Sequence, residues 1–239
     1  MHVSTNFDLN KCKYDFNSDK VDIIVMIYDR SGSMEPDVNK MRKANKAFYD
    51  DFSKFKDKGS IAIAKVVFSD SLAMSPFTDI SQFNTGYDVG GGTALYLTIE
   101  KVTNYVIMYY EEIQKRLNIT PRITFLVFTD GQDTTHYSSS VARHAITKLN
   151  SLDATTVLVA FREAIQYDIG AELGFTCTKN IESAQELISC LGEQLSQSCK
   201  EQSKSVYSLK SEFFSKASTD AEEDSVEDQS ILADDFFNV

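Results

Sequence analysis

The clearest pattern along the chain is a series of short stretches that are almost continuously apolar and rich in β-branched residues. They occupy residues 21–28, 61–68, 123–128 and 155–161. A strand buried on both faces has this pattern, because neither of its alternating sets of side chains meets water. The sequence therefore predicts four buried strands. Residues 72–77, soon after the second strand, are predicted to form an antiparallel edge hairpin.

Helical periodicity occupies the segments between these strands. Apolar residues recur there at three- and four-residue spacing with polar residues on the opposite face, which is typical of amphipathic helices. The predicted helices cover residues 38–55, 95–109, 141–149 and 164–173, and a further apolar stripe covers residues 181–195. The fourth helix is expected to end at Gly174, and a brief strand is expected at residues 175–178.

Alternation of strands and helices along a chain favours one architecture. It predicts an α/β, Rossmann-like fold with a mainly parallel central sheet, one antiparallel edge strand and helices on both faces. We expect an N-terminal extension over residues 1–20 and a folded domain over residues 21–195. A C-terminal helical extension over residues 196–216 and an acidic, flexible tail over residues 217–239 are expected to follow.

Charge is distributed unevenly along the chain. The 239 residues include 24 basic and 35 acidic side chains, for a net charge of −11. Residues 217–239 hold eight of the acidic residues and no Lys or Arg, which leaves only −3 for residues 1–216. An acidic surface repels phosphate backbones and anionic lipid, so nucleic-acid and membrane-surface binding are not expected.

Other features of the composition favour a cytoplasmic protein. No apolar run is long enough to cross a membrane, and the first residues lack a secretory signal. The four cysteines include no C-x-x-C pair, so reduced thiols are expected rather than a zinc site or a disulfide framework.

Candidate chemistry begins where the first predicted strand runs directly into Asp29-Arg30-Ser31-Gly32-Ser33. Alternate side chains of this turn can converge above the sheet edge, where they offer one carboxylate and two hydroxyls. The helix expected next would add its positive amino end, which tolerates this group of oxygens when a cation or an anionic ligand completes it. The motif therefore predicts a ligand site.

Two later motifs have matching chemistry. Gly90-Gly91-Gly92-Thr93 places a hydroxyl just before a helix, and the third buried strand ends in Thr129-Asp130-Gly131, which supplies a second carboxylate. Ligands of open α/β sheets lie at the carboxyl ends of strands where the strand order reverses. Because the ligands are oxygens and partly neutral, they suit a small hard divalent ion, Mg²⁺ or Mn²⁺. We predict that ion at this crevice.

The three motifs in this order resemble the metal-ion-dependent adhesion site (MIDAS) of von Willebrand factor A (vWA) domains. The five matching positions are Asp29, Ser31, Ser33, Thr93 and Asp130. The resemblance spans about residues 21–188. The motif sequences are similar to those of the intracellular bacterial branch, and they read Asp-Arg-Ser-Gly-Ser-Met, Gly-Gly-Thr-Ala-Leu-Tyr and Thr-Asp-Gly. It implies metal-dependent protein–protein recognition without catalysis, in which a partner Asp or Glu completes the coordination of Mg²⁺ or Mn²⁺.

Catalytic interpretations have little support in the residues. A phosphotransferase nucleophile at Asp29 would require Asp-x-Asp, and position 31 is serine. The chain contains neither a G-x-S-x-G elbow nor a G-x-x-x-x-G-K-[ST] loop. His136 and His144 have no triad context and are expected at the surface or at a helix cap. Asp133 is expected to cap the next helix or to face solvent, and the alternative is a hydrogen-bond acceptor behind the metal ligands.

The sequence leaves the wider role open. The chain is compatible with a metal-dependent adaptor, with a vWA subunit of a larger ATPase or kinase/phosphatase signalling machine, and with an oligomerising structural protein in which the metal only stabilises the fold. Its tail combines acidic and aromatic residues, as docking peptides do, although a solubilising disordered end is the alternative. The candidate anchors of a second partner contact are Asp234, Asp235, Phe236 and Phe237.

Overall fold

The computed structural model describes residues 21–52, 61–131 and 133–199. The predicted N-terminal extension, most of the predicted helical extension and the tail residues Asp234, Asp235, Phe236 and Phe237 lie outside the described residues. Within the described ranges, no helix is both long enough and apolar enough to span a membrane.

Strands and helices alternate along the described chain. The strands are β1 (Asp22–Asp29), β2 (Ile61–Phe68), β3 (Leu72–Met74), β4 (Arg122–Thr129), β5 (Thr155–Ala160) and β6 (Cys177–Asn180). The helices are α1 (Val38–Phe52), α2 (Leu95–Leu117), α3 (Ser139–Asn150), α4 (Glu163–Gln166), α5 (Ile169–Leu173) and α6 (Ala184–Cys199). Two 3-10 helices occupy Gly32–Asp37 and Ile80–Gln82.

All six of these strands form one sheet in the order β3-β2-β1-β4-β5-β6. β1 pairs in parallel with both β2 and β4, while β3 lies antiparallel to β2 at the edge. The predicted fold class is therefore confirmed, including the antiparallel edge strand. Because the chain adds β2 on one side of β1 and β4 on the other, the strand order reverses between β1 and β4.

The hydrophobic core has two layers, one on each face of the sheet. Alternate residues of β1 such as Ile23 and Val25 pack into the layer that contains α2 and α3. Their neighbours Ile24 and Met26 pack into the other layer, with α1 and α6. Both sets are fully buried, which explains why the interior of the strand is apolar on both faces. Its two aspartates lie at its ends.

Two local predictions differ from the structure in their bounds. The helix expected at residues 164–173 is divided into α4 and α5, because Asp168 between them has a left-handed φ of 47° that a continuous helix cannot contain. The strand expected at residues 175–178 is present but begins two residues later, as β6, which pairs with β5. The 3-10 helix Gly32–Asp37 begins within the first motif and leads into α1, which starts at Val38 as the periodicity predicted.

Candidate functional site

The candidate site lies at the carboxyl edge of the sheet, where the strand order reverses. Asp29 is the last residue of β1, and Asp130 directly follows β4. The two strands are parallel and in register up to the pairing of Tyr28 with Phe128. The two aspartates, which come from separate sequence motifs, therefore lie at the carboxyl ends of adjacent strands, as the sequence predicted.

A chain of hydrogen bonds joins four of the five predicted residues. Asp29 Oδ1 accepts a hydrogen bond of 2.8 Å from the Ser31 backbone N–H. The Ser31 and Ser33 hydroxyls lie 3.0 Å apart. Ser33 Oγ then donates to Asp130 Oδ1 at 2.9 Å. The carboxylate and hydroxyl oxygens thus form one contiguous polar group across β1 and β4.

The glycine-rich loop brings Thr93 to the same place through its backbone. The Gly32 N–H donates to the Gly91 carbonyl at 3.1 Å, and the Gly90 N–H donates to the Arg30 carbonyl at 2.6 Å. Gly91 has a φ of 93°, which side chains other than glycine rarely tolerate. Thr93, two residues after Gly91, is buried.

Thr134 holds Thr93 from the other side. The Thr93 N–H donates to Thr134 Oγ1 at 2.9 Å, and the Thr134 N–H donates to the Thr93 carbonyl at 2.8 Å. The loop after β4 and the glycine-rich loop are therefore fixed to each other. Thr93, the fifth predicted residue, is thus held between the two loops, although its side chain is not part of the hydrogen-bonded chain that joins the other four.

Burial dominates the electrostatics of Asp29. It raises the pKa of this carboxyl to about 6, although hydrogen bonds from Thr129 and Ser31 act in the opposite direction. The Thr129 hydroxyl donates to Asp29 Oδ2 at 2.6 Å. Tyr87 donates its phenol proton to the Asp29 carbonyl, and burial raises the pKa of Tyr87, which keeps it a neutral donor.

Two charged residues that sequence reasoning missed also reach the site. Arg162 lies just beyond the end of β5, and its Nη2 donates to Asp130 Oδ2 and to the Ser33 carbonyl. The same nitrogen lies 3.1 Å from Oδ2 of Asp37, a buried residue at the end of the first 3-10 helix. The position of Arg162 directly after a predicted buried strand was an available signal, since the same rule selected Asp130.

Asp133 stabilises the preceding helix rather than the next one. Its Oδ2 accepts a 2.7 Å hydrogen bond from the Tyr96 N–H in the first turn of α2. Its Oδ1 accepts from the Thr135 N–H at 2.6 Å. The next helix, α3, is capped instead by the Ser138 hydroxyl. The capping role was expected, but the choice of helix was wrong, because a cap supplied from a distant loop leaves no pattern in the local sequence.

A buried lysine supports the segment that leads into the glycine-rich loop. Lys65 Nζ donates to the Asn84 carbonyl at 2.8 Å and to the Gly86 carbonyl. Its ammonium lies 5.1 Å from the centre of the Tyr28 ring. Burial lowers the pKa of Lys65 to about 8. The lysine borders a cavity of about 560 Å³ between the edge of the sheet and this segment.

The donor chemistry of the site fits a hard divalent cation, since carboxylate and hydroxyl oxygens are the ligands that Mg²⁺ and Mn²⁺ prefer. Across the described residues, no three or more His, Cys, Asp or Glu side chains are grouped so that they could hold a metal ion. A cation here would therefore depend on hydroxyl and water oxygens in addition to Asp29 and Asp130.

No protein-family model matches the chain, and no curated protein matches it. Solved structures do match. The pilus adhesin SpaC from Lactobacillus rhamnosus GG, in an open conformation, aligns with a TM-score of 0.62 at 12% identity over 79% of this chain and 31% of the adhesin. The VWA domain of SpRpn10 aligns with a TM-score of 0.51 at 12% identity over 71% of this chain and 95% of that domain.

A third match is proximal thread matrix protein 1 from the mussel byssus, solved with a zinc-occupied MIDAS motif. It aligns with a TM-score of 0.51 at 16% identity, over 75% of this chain and 46% of that protein. This chain spans about a third of the length of the adhesin and less than half that of the byssus protein. At these identities the likeness shows the fold alone. The chain is a Rossmann-like α/β protein, and its fold is that of vWA domains.

Proposed function

We propose that this chain is a metal-dependent protein-recognition module. A divalent ion, Mg²⁺ or Mn²⁺, is held at the sheet switch point, and an Asp or Glu of a protein partner completes its coordination. The metal ligands are Asp29, Ser31, Ser33, Thr93 and Asp130. One observation carries the proposal: the hydrogen-bonded group from Asp29 through the two serines to Asp130, which gathers carboxylate and hydroxyl oxygens from two adjacent strands.

The chemistry of these side chains suits binding better than turnover. The hydroxyl ligands are neutral, so they leave positive charge on a bound ion, and this charge is what attracts a partner carboxylate. Asp29 is fixed by the Ser31 N–H and the Thr129 hydroxyl, which hold its two oxygens in place. No residue in a catalytic role is part of the proposal, and the cytoplasmic location stays a prediction.

The structural neighbours support the proposal at a coarser level. One of them is a pilus adhesin, and another is a byssus matrix protein whose MIDAS motif holds zinc. A divalent ion at the corresponding edge of this sheet is therefore chemically reasonable. The choice of Mg²⁺ or Mn²⁺ rests on the all-oxygen ligand set of this chain.

The test compares two buried aspartates on the same strand. Asp29→Asn removes the charge at the carboxyl end of β1. Asp22→Asn removes a buried charge at the amino end of β1, where Asp22 accepts hydrogen bonds of 2.8 and 3.0 Å from Arg122. Both variants lose a buried carboxylate, but only Asp29→Asn alters the candidate site. Mn²⁺ binding is measured by calorimetry, and partners are captured from native lysate with and without a chelator.

We expect Asp29→Asn to lose Mn²⁺ binding and chelator-sensitive capture, while Asp22→Asn retains both. The wild type should lose the captured partner when the chelator is added. Capture that survives both chelation and Asp29→Asn would contradict the metal-dependent mechanism, even if the chain still bound a protein through another surface.

A further inference from the structure

The guanidinium of Arg162 is in contact with the carboxylate that the proposed metal site needs. Its Nη2 donates to Asp130 Oδ2 and to the Ser33 carbonyl, and it lies 3.1 Å from Asp37 Oδ2. Since the other oxygen of Asp130 accepts from Ser33 Oγ, both carboxylate oxygens of Asp130 are engaged within the chain.

The backbone at Arg162 is unusual for an arginine. Its φ is 41°, in the left-handed region that favours glycine. Residues other than glycine persist there when surrounding contacts hold them, and such residues concentrate at functional sites. At Arg162 the contacts that hold the side chain are those with the two aspartates and the Ser33 carbonyl.

The local charges explain why a cation is favoured at this point. Asp29, Asp37 and Asp130 are all buried. Lys40 Nζ lies 2.8 Å from Asp37 Oδ1. Arg162 is the cation that contacts Asp130 itself. Its side chain is 39% exposed, so it has room to move into solvent.

We propose that Arg162 is an internal cation that competes with the divalent ion for Asp130 and thereby lowers the metal affinity of the site. The inference rests on the proposed function. Binding of the ion requires Arg162 to release Asp130 Oδ2, because the guanidinium and the ion carry charge of the same sign and need the same oxygen. Arg162 is thus a positioning residue that sets the ion concentration at which the site loads.

The first test measures Mn²⁺ affinity of the full chain by calorimetry. Arg162→Gln removes the charge and keeps a polar side chain, whereas Arg162→Lys keeps the charge. Arg143→Gln is the matched control, because Arg143 is an exposed arginine that donates to the Glu172 carbonyl and contacts none of the site carboxylates. We expect Arg162→Gln to bind Mn²⁺ about tenfold more tightly than the wild type, and the other two variants to change little.

Each other result has a defined meaning. If the wild type binds Mn²⁺ and a folded Arg162→Gln variant binds it equally or more weakly, the competition is overturned while the metal site stands. If neither protein binds Mn²⁺, the proposed function and this inference both fall. Thermal unfolding followed by circular dichroism shows whether each variant is folded.

A second measurement uses the wild type and does not depend on any variant. The rate at which phenylglyoxal modifies Arg162 is followed by peptide mass spectrometry with Mn²⁺ and with NaCl at equal ionic strength. We expect Mn²⁺ to increase the rate at Arg162 severalfold and to leave the rate at Arg143 unchanged. A rate at Arg162 that stays constant or falls would overturn the inference.

Discussion

Asp29 shows how burial changes the behaviour of a single carboxyl. Its pKa is raised to about 6 despite hydrogen bonds from the Ser31 backbone and the Thr129 hydroxyl. An exposed aspartate keeps its charge at mildly acidic pH, but Asp29 gains a proton in that range. A neutral carboxyl attracts a cation much less than a carboxylate does, so the proposed ion binding becomes sensitive to pH near 6.

We therefore expect the Mn²⁺ affinity of the wild type to fall as the pH is lowered through 6, by roughly tenfold between about pH 7.5 and about pH 5. Calorimetric titrations at several pH values measure this change. The Asp29→Asn variant, which has no carboxyl to protonate, should bind weakly at every pH. An affinity of the wild type that stays constant across this range would contradict the prediction.

The same shift has a consequence for folding of the ion-free protein. Because the folded-state pKa of about 6 lies above the reference value of 3.8, the folded state holds more protons than the unfolded state between these values. The stabilising contribution of Asp29 is therefore present at low pH and is lost as the pH rises through this window. A bound cation would compensate for this loss at neutral pH.

Lys65 predicts the opposite pH dependence of folding stability, and it does so at alkaline pH. Burial lowers its pKa from 10.5 to about 8. The unfolded state therefore holds more protons than the folded state between these values. As a result the free energy of unfolding increases as the pH rises. We expect wild type to gain on the order of 2 kcal/mol relative to Lys65→Met between about pH 8 and about pH 10.

Urea unfolding of both proteins at each pH measures this difference, and comparison of the two cancels the other groups that titrate there. A difference in stability that does not depend on pH would contradict the prediction. Lys65→Met also removes the donor to the Asn84 and Gly86 carbonyls, so a constant loss of stability is expected at all pH values.

At the scale of elements, the glycine-rich loop connects the candidate site to α2. Gly91 accepts the hydrogen bond from Gly32 with its carbonyl while its own φ is 93°. A Cβ at this position would also lie 3.1 Å from the Ser69 hydroxyl and 2.7 Å from an Asp70 carboxylate oxygen. A substitution here therefore strains the backbone at the point where the loop meets the first motif.

We expect Gly91→Ala to lower the free energy of unfolding by about 1–2 kcal/mol and to weaken Mn²⁺ binding severalfold. Gly174→Ala is the control, because Gly174 has a φ of 81° at the end of α5 and a Cβ there meets nothing within 4 Å. Urea unfolding should show a loss in both variants, while calorimetry should show weaker Mn²⁺ binding only for Gly91→Ala. Equal Mn²⁺ affinities for both variants would contradict the role given to this loop.

The strands that the sequence predicted best are those buried on both faces, since burial on two faces requires a continuous apolar run. β1, β2, β4 and β5 have this signal, and their ends located Asp29 and Asp130. β6 was displaced in the prediction because its residues, Cys-Thr-Lys-Asn, are only partly buried and carry little apolar pattern. Its position is determined by pairing with β5, which is a long-range interaction.

Elements that depend on backbone conformation escaped prediction for a different reason. The break between α4 and α5 occurs at Asp168, where the local φ changes sign although the apolar periodicity continues. The contact of Arg162 with Asp130 joins the ends of two strands, and hydrophobic patterns place strand ends without showing which side chains meet there. The candidate ligands were predictable because their motifs are local. The end of the fourth predicted strand located Arg162, but it did not show that the arginine contacts Asp130 and Asp37.

On the scale of the whole molecule, most of the net negative charge belongs to residues outside the described ranges. Residues 217–239 account for −8 of the net −11. Deleting this segment therefore removes most of the charge excess and leaves the candidate metal ligands intact. The tail and the metal site are separable in an experiment.

We expect deletion of residues 217–239 to leave Mn²⁺ affinity unchanged, to weaken binding of a captured partner severalfold and to reduce the salt dependence of that binding. A variant with Phe236→Ser and Phe237→Ser keeps all eight acidic residues and separates the aromatic anchors from the charges. Partner affinities are measured by calorimetry at low and high salt. Equal affinities for the full-length and truncated chains would contradict a docking role for the tail.

The hydrogen bond from Ser33 to Asp130 joins residues separated by 97 positions in the sequence. The two halves of the candidate site therefore meet only after β1 and β4 have paired, and that pairing requires closure of a long loop. The unfolded chain contains no such arrangement of oxygens. A cation that binds here would bind the folded state in preference to the unfolded state. It would therefore raise the unfolding temperature as its concentration increases.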